Sequence, residues 1–182
     1  MRKIFFFTVI ICLLSVAAFA QKSDFSGRWT LEVSRSKPDE RARIESMTMT
    51  VTQTDKELKV ETATKRAPRP EGAPGGTGGA GFGRGGGFGG SDAATTYSLD
   101  GKETNVEQDS GMGKVPVTLN AKLDGGKLNL SSSRKFSGPN GEISASTKEA
   151  WTLSADGKTL TVQRDVESPR GTNSSTLVFV KK

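Results

Sequence analysis

The stretch "EAWTLSADGKTLTVQRDV", residues 149 to 166, carries the residues most able to do chemistry. Asp156-Gly157 suits a two-residue hairpin loop, because glycine and aspartate tolerate the positive φ angles such loops need. Folding the stretch about that loop sets Leu153 against Leu160, Trp151 against Val162 and Glu149 against Arg164. One face is therefore apolar until it meets a carboxylate and a guanidinium. A bridged Glu149–Arg164 pair has two uses. It can neutralise itself at one end of a closed sheet, near solvent or near Trp29. It can instead line a cavity, where Arg134 joins it from the same face as Leu130. Two arginines and one glutamate leave surplus positive charge, and buried charge is costly unless partnered. The chemistry that follows is recognition of an anion, with an apolar tail among Met47, Met49, Leu119 and Trp151.

Catalysis finds little support. The chain has no histidine, and its one cysteine, Cys12, lies in an amino-terminal apolar run. Serine or cysteine nucleophiles that depend on a histidine base are thereby excluded from the mature chain, as are zinc sites built on those side chains. No G-x-S-x-G elbow is present, and the spacing of Glu149, Asp165 and Glu167 singles out no acid–base pair. Gly81, Gly83 and Gly86 match a dinucleotide fingerprint, but inside a glycine tract with no strand before or helix after it. Arg84 with Phe82 and Phe88 could stack on bases, but the export signal described below argues against a nucleic-acid partner. No catalysis, cofactor, metal or nucleic acid is expected.

The elements that position these residues alternate with a period of two. "FSGRWTLEV" places Phe25, Gly27, Trp29, Leu31 and Val33 on one face; "MTMTVTQ" alternates Met47, Met49 and Val51 with threonines; "ELKVETATK" does the same with Leu58 and Val60. Alternation of this kind marks strands buried on one side only. Ten strands are predicted, at 26–33, 44–53, 57–65, 94–99, 103–109, 114–123, 127–136, 143–154, 159–167 and 172–180. The turns at Asp55-Lys56, Gly125-Gly126, Asp156-Gly157 and 168–171 each fix a register, and all four keep apolar residues on one face: Val51 with Val60, Leu123 with Leu128, Val162 with Leu177. A slip of one residue would reverse every face. No convincing helix emerges; "PDERARIES" could form one turn after Pro38. A one-sided meander must cover its apolar face, and closure does so while removing free edges. The expected fold is all-β, an antiparallel up-and-down meander closing into a barrel of about eight to ten strands.

The first twenty residues read as a signal peptide. Arg2 and Lys3 precede a short apolar run, and Ala18-Phe19-Ala20 offers a cut before Gln21. The chain is then secreted or periplasmic, with no membrane span, and residues 21–182 form one domain. Removing Arg2 and Lys3 takes the net charge from +6 to +4. So small an excess, with charges alternating in sign, suits a solvated surface rather than a nucleic-acid footprint. Residues 67–92 are mostly glycine and proline and cannot bury enough apolar surface to offset their ordering entropy. A disordered loop between two strands is expected there. Oligomeric state is not legible.

Gly27-Arg28-Trp29 on the first strand resembles the Gly-X-Trp signature of lipocalins and their calycin relatives. "DFSGRWTLEVSRSKP" and "EAWTLSADGKTLTV", with the later "SPRGT", resemble the two ends of small secreted bacterial lipocalin-like proteins. Ala150 stands where that pattern has threonine. The resemblance implies a barrel, with Gly27 and Trp29 as structural motif, and a late-strand basic residue packed on the tryptophan, for which Arg164 is the candidate. The expected function is a non-catalytic binding protein for a small amphiphilic or hydrophobic ligand, with Arg134, Glu149, Trp151 and Arg164 as ligand-binding residues. The alternative is an envelope or extracellular interaction module with a filled barrel.

Overall fold

The computed structural model describes residues 23–39, 42–68, 94–109, 114–138, 141–169 and 171–182. Residues 1–20, expected to be a signal peptide, and nearly all of the glycine-rich stretch lie outside them. Ten antiparallel strands form one sheet: β1 (Gly27–Leu31), β2 (Ile44–Gln53), β3 (Glu57–Arg66), β4 (Ala94–Ser98), β5 (Thr104–Asp109), β6 (Lys114–Asp124), β7 (Lys127–Gly138), β8 (Gly141–Leu153), β9 (Thr159–Ser168) and β10 (Gly171–Lys181). Their lateral order is β4-β3-β2-β1-β10-β9-β8-β7-β6-β5. Every neighbour is a sequence neighbour except β1 with β10. The two edges, β4 and β5, are consecutive in the chain, and β4 comes back into contact with β6. The sheet therefore curls into a nearly closed barrel. No α-helix occurs among the described residues.

The four registers read from the turns hold. Val51 pairs with Val60, Leu123 with Leu128, Trp151 with Val162, Glu149 with Arg164, and Val162 with Leu177. The Asp156-Gly157 turn is locked locally: Ser154 Oγ donates to Asp156 Oδ1 at 2.6 Å, and the Thr159 amide donates to Ser154 Oγ at 2.9 Å. Gly157 takes a positive φ of 66°, which glycine adopts without strain. The inner face buries Trp29, Met47, Met49, Leu58, Val60, Leu128, Trp151, Leu160, Leu177 and Phe179 in one cluster.

The first strand is shorter than its alternation suggests. It ends at Leu31, and Val33–Arg35 form a 3-10 turn. Val33, expected inside, is 43% exposed. The turn is tied to β10 instead: the Glu32 amide donates to the Val178 carbonyl at 2.8 Å, and the Val178 amide donates to Ser36 Oγ at 2.9 Å. These bonds carry the chain away from the inner face before Val33 can reach it.

Residues 23–26 run beneath one end of the barrel. The Phe25 amide donates to Gln53 Oε1 at 2.9 Å, Gln53 Nε2 donates to the Ser23 carbonyl at 3.0 Å, and the Gln53 amide donates to Ser26 Oγ at 3.0 Å. Phe25 is fully buried and meets Trp151 edge-on, ring centroids 6.2 Å apart. Trp29 Nε1 donates to the Phe25 carbonyl at 3.0 Å. This end is thus plugged by aromatic side chains whose polar atoms are satisfied.

The basic residue on Trp29 is Lys181, with Nζ 5.3 Å from the ring centroid, and not Arg164. The β1–β10 register sets Trp29 directly opposite Lys181, while Arg164 is held by Glu149. Close approach here needs Gly27, whose φ is +141°; a Cβ there would come within 2.5 Å of Lys181 Cε.

Candidate ligand-binding site

The inner face changes character row by row across β6 to β10. The row Leu123–Leu128–Trp151–Val162–Leu177 is wholly apolar. The next, Ala121–Leu130–Glu149–Arg164–Ser175, carries the ion pair. Beyond it, Leu119–Ser132–Thr147–Val166–Asn173 mixes hydroxyls with aliphatics. The following row contains Val117, Arg134 and Ala145. Since side chains on one face recur every second residue, these rows were fixed once the turns fixed the register. The barrel therefore has an apolar half and a polar half, and the ion pair lies at the boundary.

Glu149 is buried, at 4% exposure. Its Oε1 accepts from Arg164 Nε at 2.6 Å and its Oε2 accepts from Trp151 Nε1 at 2.7 Å. Both carboxylate oxygens are thus engaged, which is what a buried carboxylate requires. The pair sits inside the barrel rather than at its rim. The expected closure "near solvent or Trp29" is corrected accordingly: Glu149 contacts Trp151, two residues along its own strand, and Trp29 belongs to the plugged end.

Tyr97 completes the boundary, and the sequence reading missed it. It comes from β4, at the opposite edge of the sheet from β5 and β6, yet is buried at 2% exposure. Burial pushes its phenol well above the usual tyrosine range; the Glu149 charge adds to that shift and the Arg164 charge opposes it. Both charges reach Tyr97 because curling of the sheet brings β4 across from β8 and β9. Its one signal was apolar alternation with Leu99 on a short strand following an irregular stretch, which places it inside without saying whom it faces.

Arg134 lies where the register predicts, half-buried on the inner face. Burial pulls its guanidinium below the ordinary arginine value. It lines a cleft of about 20 Å³ together with Gln108, Val117, Ser132, Thr147 and Val166. That volume has room for roughly one water. Of the four residues expected to contact ligand, Glu149, Trp151 and Arg164 are joined in one hydrogen-bonded unit, and Arg134 stands two rows farther into the polar half. The residues expected around a ligand tail, Met47, Met49, Leu119 and Trp151, are all packed in the core with 2% exposure or less. No group of acidic residues suited to a metal ion occurs among the described residues.

No family model matches the sequence, and no curated protein matches it. Among solved structures the chain is similar to zebrafish ileal bile acid-binding protein complexed with cholic acid, at 16% identity, covering 87% of this chain and 98% of that one, with a TM-score of 0.49. It is also similar to an abundant heat soluble (SAHS) protein from Ramazzottius varieornatus, at 10% identity over 88% of this chain and 96% of that one, TM-score 0.52. At such identities the second likeness speaks for the fold alone. It is a β-barrel fold, spanning nearly the whole of the described chain.

Proposed function

We propose that this is a non-catalytic binding protein, exported by the segment 1–20 to the periplasm or beyond, that takes a small acidic amphiphile into the polar half of its barrel. The observation that carries the reading is Arg134: a guanidinium on the inner face, half-buried, beside a cleft lined by Ser132, Thr147 and Gln108. Water screens a half-buried cation less than a surface one, so an anion entering the cleft meets a stronger field. Hydroxyls and an amide around it supply further hydrogen-bond partners. Arg134 faces the cleft and serves as the anchor, while Glu149, Trp151 and Arg164, joined by hydrogen bonds, form the polar floor.

Native mass spectrometry of the mature protein from its own secretory compartment tests this directly. A reproducible mass surplus identifiable as a small acid or lipid supports it. Arg134→Ala should weaken octanoate binding about ten- to a hundred-fold, the worth of one charge-assisted hydrogen bond. Unchanged affinity would remove Arg134 from the site.

A second reading is favoured by the close packing of the apolar half: a filled barrel acting through its surface, with the stretch 67–92 making the contacts. Deleting residues 70–90 should then abolish capture of a partner from envelope extract. Capture that survives the deletion rejects this reading.

A further inference from the structure

We infer that β4 and β5 are the two arms of a hairpin whose ladder opens and closes, so that the barrel wall carries a closable seam. The two strands are consecutive in the chain and form the two edges of the sheet, and no ladder joins them in this structure. Their connection nevertheless repeats the β8–β9 turn. "TYSLDGKETNV", residues 96–106, and "TLSADGKTLTV", residues 152–162, share threonine, serine, Asp-Gly-Lys and valine at the same places. The geometry repeats as well. Ser98 Oγ donates to Asp100 Oδ1 at 2.8 Å, and the Lys102 amide donates to the same oxygen at 2.9 Å. The matching bonds among Ser154, Asp156 and Lys158 measure 2.6 and 3.1 Å. Gly101 takes a φ of 77° where Gly157 takes 66°. Of these two turns, the second alone continues into a ladder.

Carrying the β8–β9 register onto the first turn sets Tyr97 opposite Thr104, Thr96 opposite Asn105 and Thr95 opposite Val106. The faces agree: Tyr97 is buried and Thr95, Thr104 and Val106 are half-buried, while Thr96 and Asn105 are exposed. The backbone directions agree too. Just past β4 the Leu99 amide donates to the Lys56 carbonyl at 2.8 Å, so by alternation Thr96 and Ser98 turn their backbone groups to the open side. The two-residue turn at Gly125-Gly126 makes Asp124 and Lys127 a hydrogen-bonded pair, so Leu119 and Val117 address β5 at Thr104 and Val106. Asn105 is left facing the open side, toward Thr96. The rest of the barrel accommodates closure. A row leaving β1 at Gly27 passes through Thr95, Val106 and Arg134 to Gly171 and meets the line of β1 again about twelve residues on. At the usual rise and spacing that stagger tilts the strands by about 40°, as in closed barrels. Each edge exchanges water for a backbone partner at small net gain per bond, which lets the seam open as well as close. The gate so formed lies in the side wall, on the strand that brings Gln108 to the Arg134 cleft. It stands independently of what that cleft binds.

The test is disulfide trapping in the chain from residue 21 to 182, which contains no cysteine of its own. Thr96→Cys with Asn105→Cys puts thiols on an exposed pair whose Cα atoms lie about 5.5 Å apart in the closed seam, within disulfide reach. Thr96→Cys with Glu107→Cys is offset by two residues, misses that spacing and serves as the comparison. The variants are incubated with oxidised glutathione under native conditions and read by intact mass and peptide mapping. The matched pair should cross-link within one chain about ten-fold faster than the offset pair, or more. Ala94→Cys with Glu107→Cys repeats the matched geometry farther along the seam and replaces the first variant should that one fold poorly. Matched pairs that stay reduced, or that oxidise no faster than the offset pair, overturn the seam.

Discussion

Replacing Arg164 by methionine is the sharpest test of the ion pair's role. The side chain of Glu149 is 1% exposed and that of Arg164 is 14% exposed. Methionine keeps most of the buried stem but removes the charge, leaving a buried carboxylate that still accepts from Trp151 Nε1 but has lost the guanidinium against it. Removing one partner of a buried pair typically costs about 3–5 kcal/mol. For a chain of this length that lowers the melting temperature by roughly 10 °C or more. The double variant Glu149→Gln/Arg164→Met then separates lost attraction from uncompensated charge. Glutamine keeps an oxygen to accept from Trp151 Nε1 and carries no charge. Because replacing both members of a buried pair is often neutral, the double variant should regain most of the loss, about 2–4 kcal/mol of it. Urea unfolding followed by tryptophan fluorescence measures all three proteins, with unchanged slopes confirming that only stability moved. Two results refute the reasoning: a single variant within about 1 kcal/mol of wild type, or a double variant as unstable as the single.

Two further outcomes are expected. Asp24 is held below its ordinary value of 3.8, chiefly by hydrogen bonds from the Ser26 side chain and backbone. A carboxylate lowered on folding contributes stability that is fully present above its unfolded value and lost as pH falls through the folded one. Asp24→Asn should therefore flatten the loss of stability below about pH 4 and leave the slope near neutrality unchanged; titrated urea midpoints check it. Gly27→Ala must place a Cβ at φ +141° and displace Lys181 from its place over Trp29. A loss of about 1–3 kcal/mol follows from the backbone strain, whereas Lys181→Ala alone should cost about 0.5–1 kcal/mol; thermal melts distinguish the two.

The parts of the fold governed by local rules were legible in the sequence. Asp156-Gly157 and Gly125-Gly126 fix registers because a tight turn leaves no slack, and a fixed register assigns every inward residue from Leu128 to Leu177. That logic also placed Glu149 opposite Arg164. It stops where strands meet without a short turn. The β1–β10 pairing has none, so nothing local announced that Lys181, rather than Arg164, would cover Trp29. Tyr97 was invisible as a partner of Glu149 for the same reason, since only curvature of the whole sheet brings β4 to β8. Val33 shows a different limit: its alternation is correct, but backbone bonds to Val178 and Thr176 draw the chain off the sheet at Glu32 and Lys37. The residues expected around a ligand tail, Met47, Met49, Leu119 and Trp151, are packed in the core, because apolar alternation marks a core without saying whether the core is full.

The pairing of β1 with β10 sets how the chain must assemble. Every other ladder joins sequence neighbours through a connection that can close early, since closure entropy grows slowly with loop length. The β1–β10 ladder spans almost the whole described chain, and that loop must be closed before its bonds return anything. Two locally formed blocks, β2–β4 and β5–β10, can therefore precede it, with β1 as the hinge that docks one on the other. Substitutions at Thr30 or Phe179 should slow folding more than equal losses at Leu123 or Leu153. Conversely, a permuted chain opened at Gly101, between two strands that do not pair, would keep every ladder of the sheet.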